Sequence, residues 1–202
     1  MYRKDWKNEY YTIKAHKEGY PARSVYKLKE IDETYNLVEK GNAVLDLGCS
    51  PGSWLIYLSE KVGPGGKVIG VDTAELKIPR LKNVIFLQKD VADLEISELK
   101  NLAGVYRAVV SDLSPSTSGI PGLDNARSLE LAEKALEIAL AVLAPDGNFL
   151  VKLFEGEGRE NFFGKVKKSF KTARIVRPKA VFRRSREVYV VAKGLKMTNG
   201  KW

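Results

Sequence analysis

The sequence predicts an α/β fold built around a mostly parallel β-sheet. From about residue 25 onward, short apolar runs alternate with helical patterns, which is typical of parallel strands joined by crossover helices. The last two apolar runs leave no room for a helix between them, so they predict an antiparallel hairpin at the edge of the sheet. Seven strands are therefore expected.

The individual elements follow from periodicity and from helix start signals. Ser24 can cap a helix over about residues 25–38. Strands are expected at 43–47, 67–71, 84–88, 107–111, 148–154, about 173–177 and 187–192, with helices at about 53–62, 95–102, 126–143 and 159–170.

The length of 202 residues, of which 44% are hydrophobic, suits one soluble domain with a single core. A basic and aromatic arm is expected at residues 1–22 and a loose tail at about 195–202. Cys49 is the single cysteine and His16 the single histidine, so an internal disulfide and a Cys/His metal site are excluded. A reducing, cytoplasmic setting is expected. No secretory signal or membrane span is predicted.

The net charge of +9 is concentrated at the two ends of the chain. Residues 1–29 hold eight basic and three acidic side chains, and residues 165–202 hold thirteen and one. Clustered cations bind polyanions by releasing counterions, which makes a nucleic acid the leading candidate partner. A solvated surface is the alternative, and a membrane is less favoured. The aromatic residues of the N-terminal arm can stack on unpaired bases or pack onto the domain.

The turn after the first predicted strand has the features of a ligand site. It is Asp46-Leu47-Gly48-Cys49-Ser50-Pro51-Gly52-Ser53-Trp54, with glycines just ahead of a helix, and open α/β sheets bind ligands at the carboxyl ends of their strands. An ordinary strand-to-helix turn is the alternative. The turn has neither Gly-Lys-Ser/Thr nor G-x-G-x-x-G spacing. A triphosphate-binding loop is thus excluded, and an adenosine-containing cofactor is favoured over NAD.

Acidic residues close the next strands at the same edge of the sheet. Asp72 follows Gly52 by twenty positions and suits a ribose hydroxyl. Asp90 and Asp112 close the third and fourth strands. Each aspartate alone is most simply a turn cap, whereas together they predict an acidic pocket for a cationic cofactor. S-adenosyl-L-methionine, which carries a sulfonium and an ammonium, fits such a pocket.

Five stretches carry a resemblance to a known family. They are Ala22-Arg23-Ser24-Val25-Tyr26-Lys27-Leu28, the DLGCSPGSW turn, VVSDLSP, Leu150-Val151-Lys152-Leu153-Phe154-Glu155-Gly156-Glu157-Gly158 and Ser185-Arg186-Glu187-Val188-Tyr189. In this order, and over about residues 20–193, they resemble the FtsJ (RrmJ-type) RNA ribose 2′-O-methyltransferases. The resemblance implies a Rossmann-like, S-adenosyl-L-methionine-dependent methyltransferase fold with seven strands, the last antiparallel, and helices on both faces.

The resemblance also implies functional residues, position by position. The family's Lys-Asp-Lys-Glu tetrad falls on Lys27, Asp112, Lys152 and Glu187. Cofactor contacts are expected at Asp46, Gly48, Ser50, Pro51, Gly52, Ser53, Trp54, Asp72, Asp90, Val91 and Asp112. No metal is implied, and Cys49 is expected to be a small packing residue rather than a nucleophile.

The implied reaction is an in-line displacement, in which a ribose 2′-hydroxyl attacks the methyl carbon and S-adenosyl-L-homocysteine leaves. Lys152 is the candidate base, although an ordinary lysine pKa is about 10.4. Burial and Lys27 would lower the pKa of Lys152, and Asp112 and Glu187 would raise it. Lys152 as the base and Lys152 as a hydrogen-bond donor to the hydroxyl both remain open.

Basic residues around the tetrad predict contacts to RNA phosphates. They are Arg177, Lys179, Arg183, Arg184 and Arg186 near the C-terminus, and Arg3, Lys4, Lys7, Lys14 and Arg23 in the arm. The resemblance implies large-subunit (23S-type) ribosomal RNA, at a uridine, as the substrate and a monomeric protein, and the compact chain favours this ribosomal substrate. Transfer RNA remains an alternative.

Other functions are disfavoured by specific features of the sequence. A base methyltransferase is expected to carry a nucleophilic cysteine or an Asp/Asn-Pro-Pro-aromatic motif, and Ser111-Asp112-Leu113-Ser114-Pro115 offers neither. The intact tetrad argues against a noncatalytic RNA-binding ribosome-assembly factor. The glycine spacing argues against a nicotinamide-dependent dehydrogenase.

Overall fold

The chain forms seven strands and six α-helices over residues 6–182 and 184–197, the part that we describe in a computed structural model, with the backbone alone for residues 6–8. The strands are β1 Ala43–Leu47, β2 Lys67–Asp72, β3 Val84–Gln88, β4 Tyr106–Ser111, β5 Leu143–Phe154, β6 Phe170–Val176 and β7 Glu187–Leu195. The helices are α1 Trp6–Lys17, α2 Val25–Tyr35, α3 Ser53–Val62, α4 Ile96–Ala103, α5 Pro121–Val142 and α6 Arg159–Ser169, with a short 3₁₀ helix at Val91–Asp93.

The described strands make one sheet in the order β3-β2-β1-β4-β5-β7-β6. β7 is antiparallel to both of its neighbours, and the other pairings are parallel. The predicted mostly parallel sheet with an antiparallel hairpin at its edge is therefore confirmed. Within that hairpin β6 takes the outermost place, because the residues from Val188 to Ala192 are buried whereas β6 exposes Lys171, Thr172 and Arg174.

Helices cover both faces of the sheet, as expected. Apolar side chains of α4, α5 and α6 pack on one face around Phe149 and Val109. Those of α2 and α3 pack on the other face around Leu150 and Val110. The two layers leave the carboxyl ends of the parallel strands open at one edge of the sheet.

Three elements differ from the sequence prediction for identifiable reasons. α2 ends at Tyr35 rather than 38, because Asn36 adopts φ +50° and the Asp32 carboxylate accepts the N–H groups of the next two residues. β5 starts at Leu143 rather than 148, with a register shift opposite Tyr106 and Ala108 where Pro-Asp-Gly bulges out. α1 lies within the predicted arm, where no helix was expected.

Leu195 and Lys196, expected in the loose tail, are held by backbone pairing and hydrogen bonds. Leu195 still belongs to β7, and the N–H of Lys196 donates to the carbonyl of Ser169. Residues 198–202 lie outside the described part.

Candidate active site and cofactor cavity

Four charged side chains meet beyond the carboxyl ends of β4 and β5. Asp112 directly follows β4, and Lys152 lies near the end of β5. Lys27 comes from the first turn of α2, and Glu187 is the first residue of β7. The antiparallel register places Lys152 opposite Tyr189, so Lys152 and Glu187 lie on the same face of the sheet.

The distances join these side chains into one network. Lys152 Nζ donates to the Asp112 carbonyl at 2.6 Å and lies 3.1 Å from Asp112 Oδ1. Lys27 Nζ lies 2.5 Å from Glu187 Oε1 and 4.0 Å from Asp112 Oδ2. The four side chains are only 5% to 16% exposed. The structure therefore brings all four residues of the predicted tetrad together, with two cations balancing two anions.

Asp112 anchors the network as a carboxylate. Burial alone would raise its pKa, but Lys152 and then Lys27, with a hydrogen bond from Tyr189, outweigh burial and hold the pKa below its ordinary value. Lys152 directs two contacts at Asp112, which leaves one position on Nζ. As an ammonium Lys152 has a third N–H there, and as a neutral amine it has a lone pair, so both expected roles fit this geometry.

Tyr189 is a member of the site that the sequence analysis did not single out. Its hydroxyl lies 2.7 Å from Asp112 Oδ1 and 2.5 Å from Glu187 Oε1. Burial first, and then the two carboxylates, raise the pKa of the phenol well above its ordinary value, so it remains a donor to one carboxylate at a time. Its position two residues after Glu187 on a strand, hence on the same face, was the available signal.

A cavity of about 410 Å³ opens at the same edge of the sheet. Six predicted cofactor residues line it, namely Gly48, Ser50, Asp72, Asp90, Val91 and Asp112. Thr73, Ala74, Lys89, Leu113, Ser114 and Leu131, which the sequence analysis did not assign to the cofactor, complete the lining. Gly48 has φ +81°, and a Cβ there would lie 2.9 Å from the backbone nitrogen of Leu113, so glycine permits the close approach of these two loops.

Acidic side chains are spread along this cavity. Asp72 ends β2, and its two carboxylate oxygens accept backbone N–H groups of Ser50 at 2.8 Å and Ala74 at 2.9 Å. Asp90 follows β3 and caps the 3₁₀ helix through a backbone N–H two residues further on. In sheet order the carboxylates run from Asp90 through Asp72 to Asp112.

Asp46 lies on β1, between the strands that precede Asp72 and Asp112. It is fully buried, and neither its carboxylate oxygens nor the hydroxyl of buried Ser111 has a hydrogen-bond partner among the described residues. Burial, followed by Asp112 and Asp72, raises the pKa of Asp46 well above its ordinary value. A buried polar group without a partner costs about 1–3 kcal/mol. Asp46 and Ser111 are not among the residues that line the cavity, whereas Gly48 and Asp112, close to them in the sequence, are, so the orphaned atoms lie next to the place where a ligand would bind.

Pro51 and Gly52, two further residues expected at the cofactor, lie in the turn into α3 and outside the cavity lining. Gly52 has φ +111°, and a Cβ there would lie 2.8 Å from the side chain of Ile78. Both conditions require glycine, so its presence is explained by the packing of this turn.

Ser53 and Trp54 were also expected at the cofactor, and they too lie outside the cavity lining. The Ser53 hydroxyl accepts the N–H of Ala22 at 2.7 Å, and Trp54 Nε1 donates to the carbonyl of Ser24 at 2.9 Å. Both side chains therefore hold the segment that leads into α2 and Lys27. The sequence could not distinguish this positioning role from a cofactor contact, because both residues directly follow the glycine-rich turn.

The cysteine in the turn behaves as predicted for a packing residue. Cys49 is 2% exposed, and burial raises the pKa of its thiol, which opposes formation of a nucleophilic thiolate. Among the residues described, no group of three or more His, Cys, Asp or Glu side chains could hold a metal ion. None of the described helices is both long and apolar enough to cross a bilayer.

The residues predicted to contact RNA differ in how far the protein uses them itself. Lys179 and Arg184 are exposed. Arg186 donates to the carbonyl of Glu155 at 2.6 and 3.1 Å and to that of Pro121 at 3.2 Å. Its guanidinium thus ties the residue after β5 to the first residue of α5, a role the sequence did not predict.

The other basic residues are held by contacts within the chain or lie outside the described part. Arg177 donates to the carbonyls of Phe182 and Ser185. Lys14 lies 3.7 Å from Glu18. Arg3, Lys4, Arg183 and the side chain of Lys7 lie outside the described residues.

The fold and the charged cluster beside the cavity define an α/β enzyme with its site at the carboxyl edge of the sheet. The FtsJ-like methyltransferase model matches residues 20–195, and the chain belongs to this family. It is 43% identical over 183 residues to the ribosomal RNA large subunit methyltransferase E of Desulfatibacillum aliphaticivorans, covering 91% of this chain and 88% of the relative. The protein of the same name from Halorubrum lacusprofundi is 43% identical over 192 residues, covering 94% of this chain and 71% of the relative.

Solved structures agree with this assignment. A protein assigned as a ribosomal RNA methyltransferase from Plasmodium falciparum superimposes with a TM-score of 0.77 at 27% identity, covering 87% of this chain and 98% of that one. Human methyltransferase-like protein 13, solved with S-adenosylhomocysteine, has a TM-score of 0.55 at 15% identity, covering 80% and 74%. The second similarity shows the fold alone. The chain is thus a methyltransferase, as the sequence predicted.

Proposed function

We propose that this methyltransferase transfers a methyl group from S-adenosyl-L-methionine to a ribose 2′-hydroxyl of RNA, at a uridine of large-subunit ribosomal RNA, and that it acts as a monomer. The observation that carries the proposal is the pair of contacts from Lys152 to Asp112 beside a cavity lined by the same aspartate. The names of the relatives support ribosomal RNA as the substrate.

The residues present fit S-adenosyl-L-methionine. Asp46 is a buried acid with no partner among the described residues, two positions before cavity-lining Gly48, and the ammonium of the cofactor would be a suitable donor to its ionised form. The Asp72 carboxylate can accept further hydrogen bonds from the ribose hydroxyls of the cofactor. Asp90 and Val91, which follow the neighbouring strand β3, would contact its adenine base. When bound, this cofactor supplies an electrophilic methyl group on a sulfonium.

The protein's own part is to position the hydroxyl and to receive its proton. Lys152 offers its remaining Nζ position to the ribose 2′-hydroxyl, either as proton acceptor or as orienting donor. Asp112 fixes Lys152 through two contacts, and Lys27 with Glu187 fixes Asp112 from the other side. Because the four charges are nearly buried, their orientation is set before RNA binds.

Methyl transfer from radiolabelled S-adenosyl-L-methionine to purified large ribosomal subunits and, separately, to bulk transfer RNA tests the proposal. Lys152→Ala is the variant, and Lys193→Ala is a matched control, since Lys193 is also a strand lysine bonded to a carbonyl, at 2.7 Å to Tyr35. Label on the subunits that Lys152→Ala abolishes and Lys193→Ala retains is the expected result.

The alternative outcomes separate the competing functions. Label on transfer RNA alone would contradict the ribosomal substrate while leaving the chemistry in place. Cofactor binding without label on either RNA would contradict the enzymatic proposal and favour a noncatalytic assembly factor.

A further inference from the structure

The loop between β6 and β7 presents an exposed aromatic ring beside the charged network. Phe182 is 44% exposed although it is a large apolar residue. The guanidinium carbon of Arg23 lies 3.4 Å from the centre of the Phe182 ring, which is the distance of a stacked cation–π pair. Arg23 therefore covers part of the ring, and the rest remains open to solvent.

This stacked pair lies close to the tetrad through both of its members. Arg23 precedes Lys27 by four residues, and the N–H groups of Tyr26 and Lys27 donate to the carbonyls of Arg23 and Ser24, so about one helical turn, roughly 6 Å of rise, separates the two positions. Phe182 precedes Glu187 by five residues. The stack thus bridges the same two segments that the Lys27–Glu187 ion pair joins at 2.5 Å.

The loop that carries Phe182 is held by its own hydrogen bonds. The carbonyl of Phe182 accepts the N–H of Ser185 at 2.9 Å and a guanidinium N–H of Arg177 at 3.2 Å. The Ser185 hydroxyl accepts the N–H of Glu187 at 3.1 Å. Phe182 is therefore tied to the tetrad by a short hydrogen-bonded turn, and its ring is presented on a preorganised support.

We propose that Phe182, with Arg23 packed against its ring, is a stacking platform for an unpaired base of the RNA strand next to the reacting ribose. Aromatic and guanidinium planes stack on bases of any sequence, and exposed Arg184 and Lys179 supply the charge that a polyanion requires. This inference depends on the proposed RNA substrate. It adds Phe182 as a residue that binds a base of the acceptor strand.

Binding of a single-stranded RNA dodecamer that contains one 2-aminopurine tests the platform directly. The fluorescence of 2-aminopurine falls when the base stacks on an aromatic ring. Phe182→Leu, which keeps an apolar side chain without the aromatic plane, is expected to weaken binding about tenfold and to remove the quenching. Phe182→Trp is expected to retain both.

Several controls separate stacking from other roles of Phe182. Leu140→Ala alters a side chain on α5 that is similarly exposed, at 43%, and should bind the dodecamer like the wild type. The same sequence as a duplex, whose bases already stack on each other, should bind Phe182→Leu and wild type equally. The melting temperature and the affinity for S-adenosylhomocysteine of Phe182→Leu and Phe182→Trp should equal those of the wild type.

Three results would overturn the platform. These are unchanged binding of the dodecamer by Phe182→Leu, an equal loss of affinity for the duplex, and a loss of cofactor affinity or melting temperature with both substitutions at 182. Methyl transfer to ribosomal subunits, measured in parallel, keeps the two proposals apart. Wild-type protein that stacks the base but transfers no methyl group would refute the proposed function alone, whereas full transfer with no base stacking would refute the platform alone.

Discussion

Asp32 and Asp46 are both fully buried, but only the carboxylate of Asp32 has hydrogen-bond partners among the described residues. The two oxygens of Asp32 accept hydrogen bonds from the backbone of Leu37 and Val38 and from Tyr57, and Lys61 lies 2.9 Å away. Asp46 has no such partner among the described residues. The first carboxylate therefore stabilises the fold, whereas the second is kept at a cost to stability.

Replacing Asp46 by Asn should stabilise the free protein at neutral pH. Below the ordinary pKa of aspartate, both the folded and the unfolded chain hold the proton, and the substitution changes little. Above it, the unfolded chain releases the proton while the raised pKa of Asp46 keeps it in the folded state, so wild-type stability falls as pH rises. We expect a gain of roughly 1–2 kcal/mol at pH 7.5, about 2–8 °C in Tm, that disappears near pH 4.

Thermal unfolding of Asp46→Asn and Asp32→Asn across this pH range checks the difference. Asp32→Asn should lower Tm, because it weakens four contacts at once. Asp46→Asn should also weaken S-adenosylhomocysteine binding in calorimetry, since an amide cannot ionise to pair with the ammonium. A lower Tm for Asp46→Asn at every pH would refute this account of Asp46.

Lys152 offers a second prediction at the residue scale. Arginine keeps the positive charge and its donors but does not release a proton near neutral pH. If Lys152 accepts the hydroxyl proton, Lys152→Arg should lose about a hundredfold or more in kcat while still binding S-adenosylhomocysteine. A pH–rate profile with near-normal rates for Lys152→Arg would assign Lys152 the orienting role instead.

At the scale of elements, strands and helices with clear periodicity were predicted well. β1, α3 and β3 have the predicted bounds, because each is an apolar segment between glycines, prolines or charged residues. α1 was missed because WKNEYYTIKAHK has charged and polar residues all around the helix and no clear apolar stripe. Its place is set by tertiary packing, with Ala15 buried against Tyr20, Val25 and Tyr26.

The residues of the site could be predicted where a motif fixes both the residue type and its place in the fold. Lys27, Asp112, Lys152 and Glu187 converge as the ordered motifs implied. The direction in which a side chain points could not be predicted in the same way, since it depends on partners distant in sequence. Trp54 shows this, because its indole bonds to Ser24, thirty residues away.

Trp54→Phe distinguishes positioning from cofactor binding. The substitution keeps an aromatic ring but removes the N–H that holds the start of α2, so Lys27 should lose its fixed position. We expect kcat to fall about three- to tenfold while the Kd for S-adenosylhomocysteine changes less than twofold. Ser53→Ala, which removes the acceptor for Ala22, should act in the same direction. A parallel loss of cofactor affinity would restore the direct contact predicted from the sequence.

Across the whole molecule, folding joins the two basic ends of the chain. Glu30 on α2 accepts the backbone N–H of Lys179 at 2.8 Å, and Arg23 stacks on Phe182. The acidic middle of the chain contributes the cavity aspartates. A basic surface for a polyanion and an acidic pocket for a cationic cofactor thus both adjoin the tetrad.

Arg184→Ala and Arg186→Ala should therefore behave differently. The first should weaken RNA binding and reduce the slope of log affinity against log salt by about 0.7–0.9, as for one lost phosphate contact, with Tm unchanged. The second should lower Tm, because the guanidinium holds the carbonyls of Glu155 and Pro121. Salt titrations and thermal unfolding of both variants check this, and an unchanged Tm with a reduced slope for Arg186→Ala would contradict its structural role.

The position of the transferred methyl group tests the central claim most directly. RNA labelled by this protein from radioactive S-adenosyl-L-methionine would be hydrolysed with alkali, which needs a free 2′-hydroxyl to cleave the chain. If the ribose 2′-oxygen is the acceptor, the label should appear in alkali-resistant dinucleotides and be lost with Lys152→Ala. Label in mononucleotides would place the methyl group on a base and contradict the account.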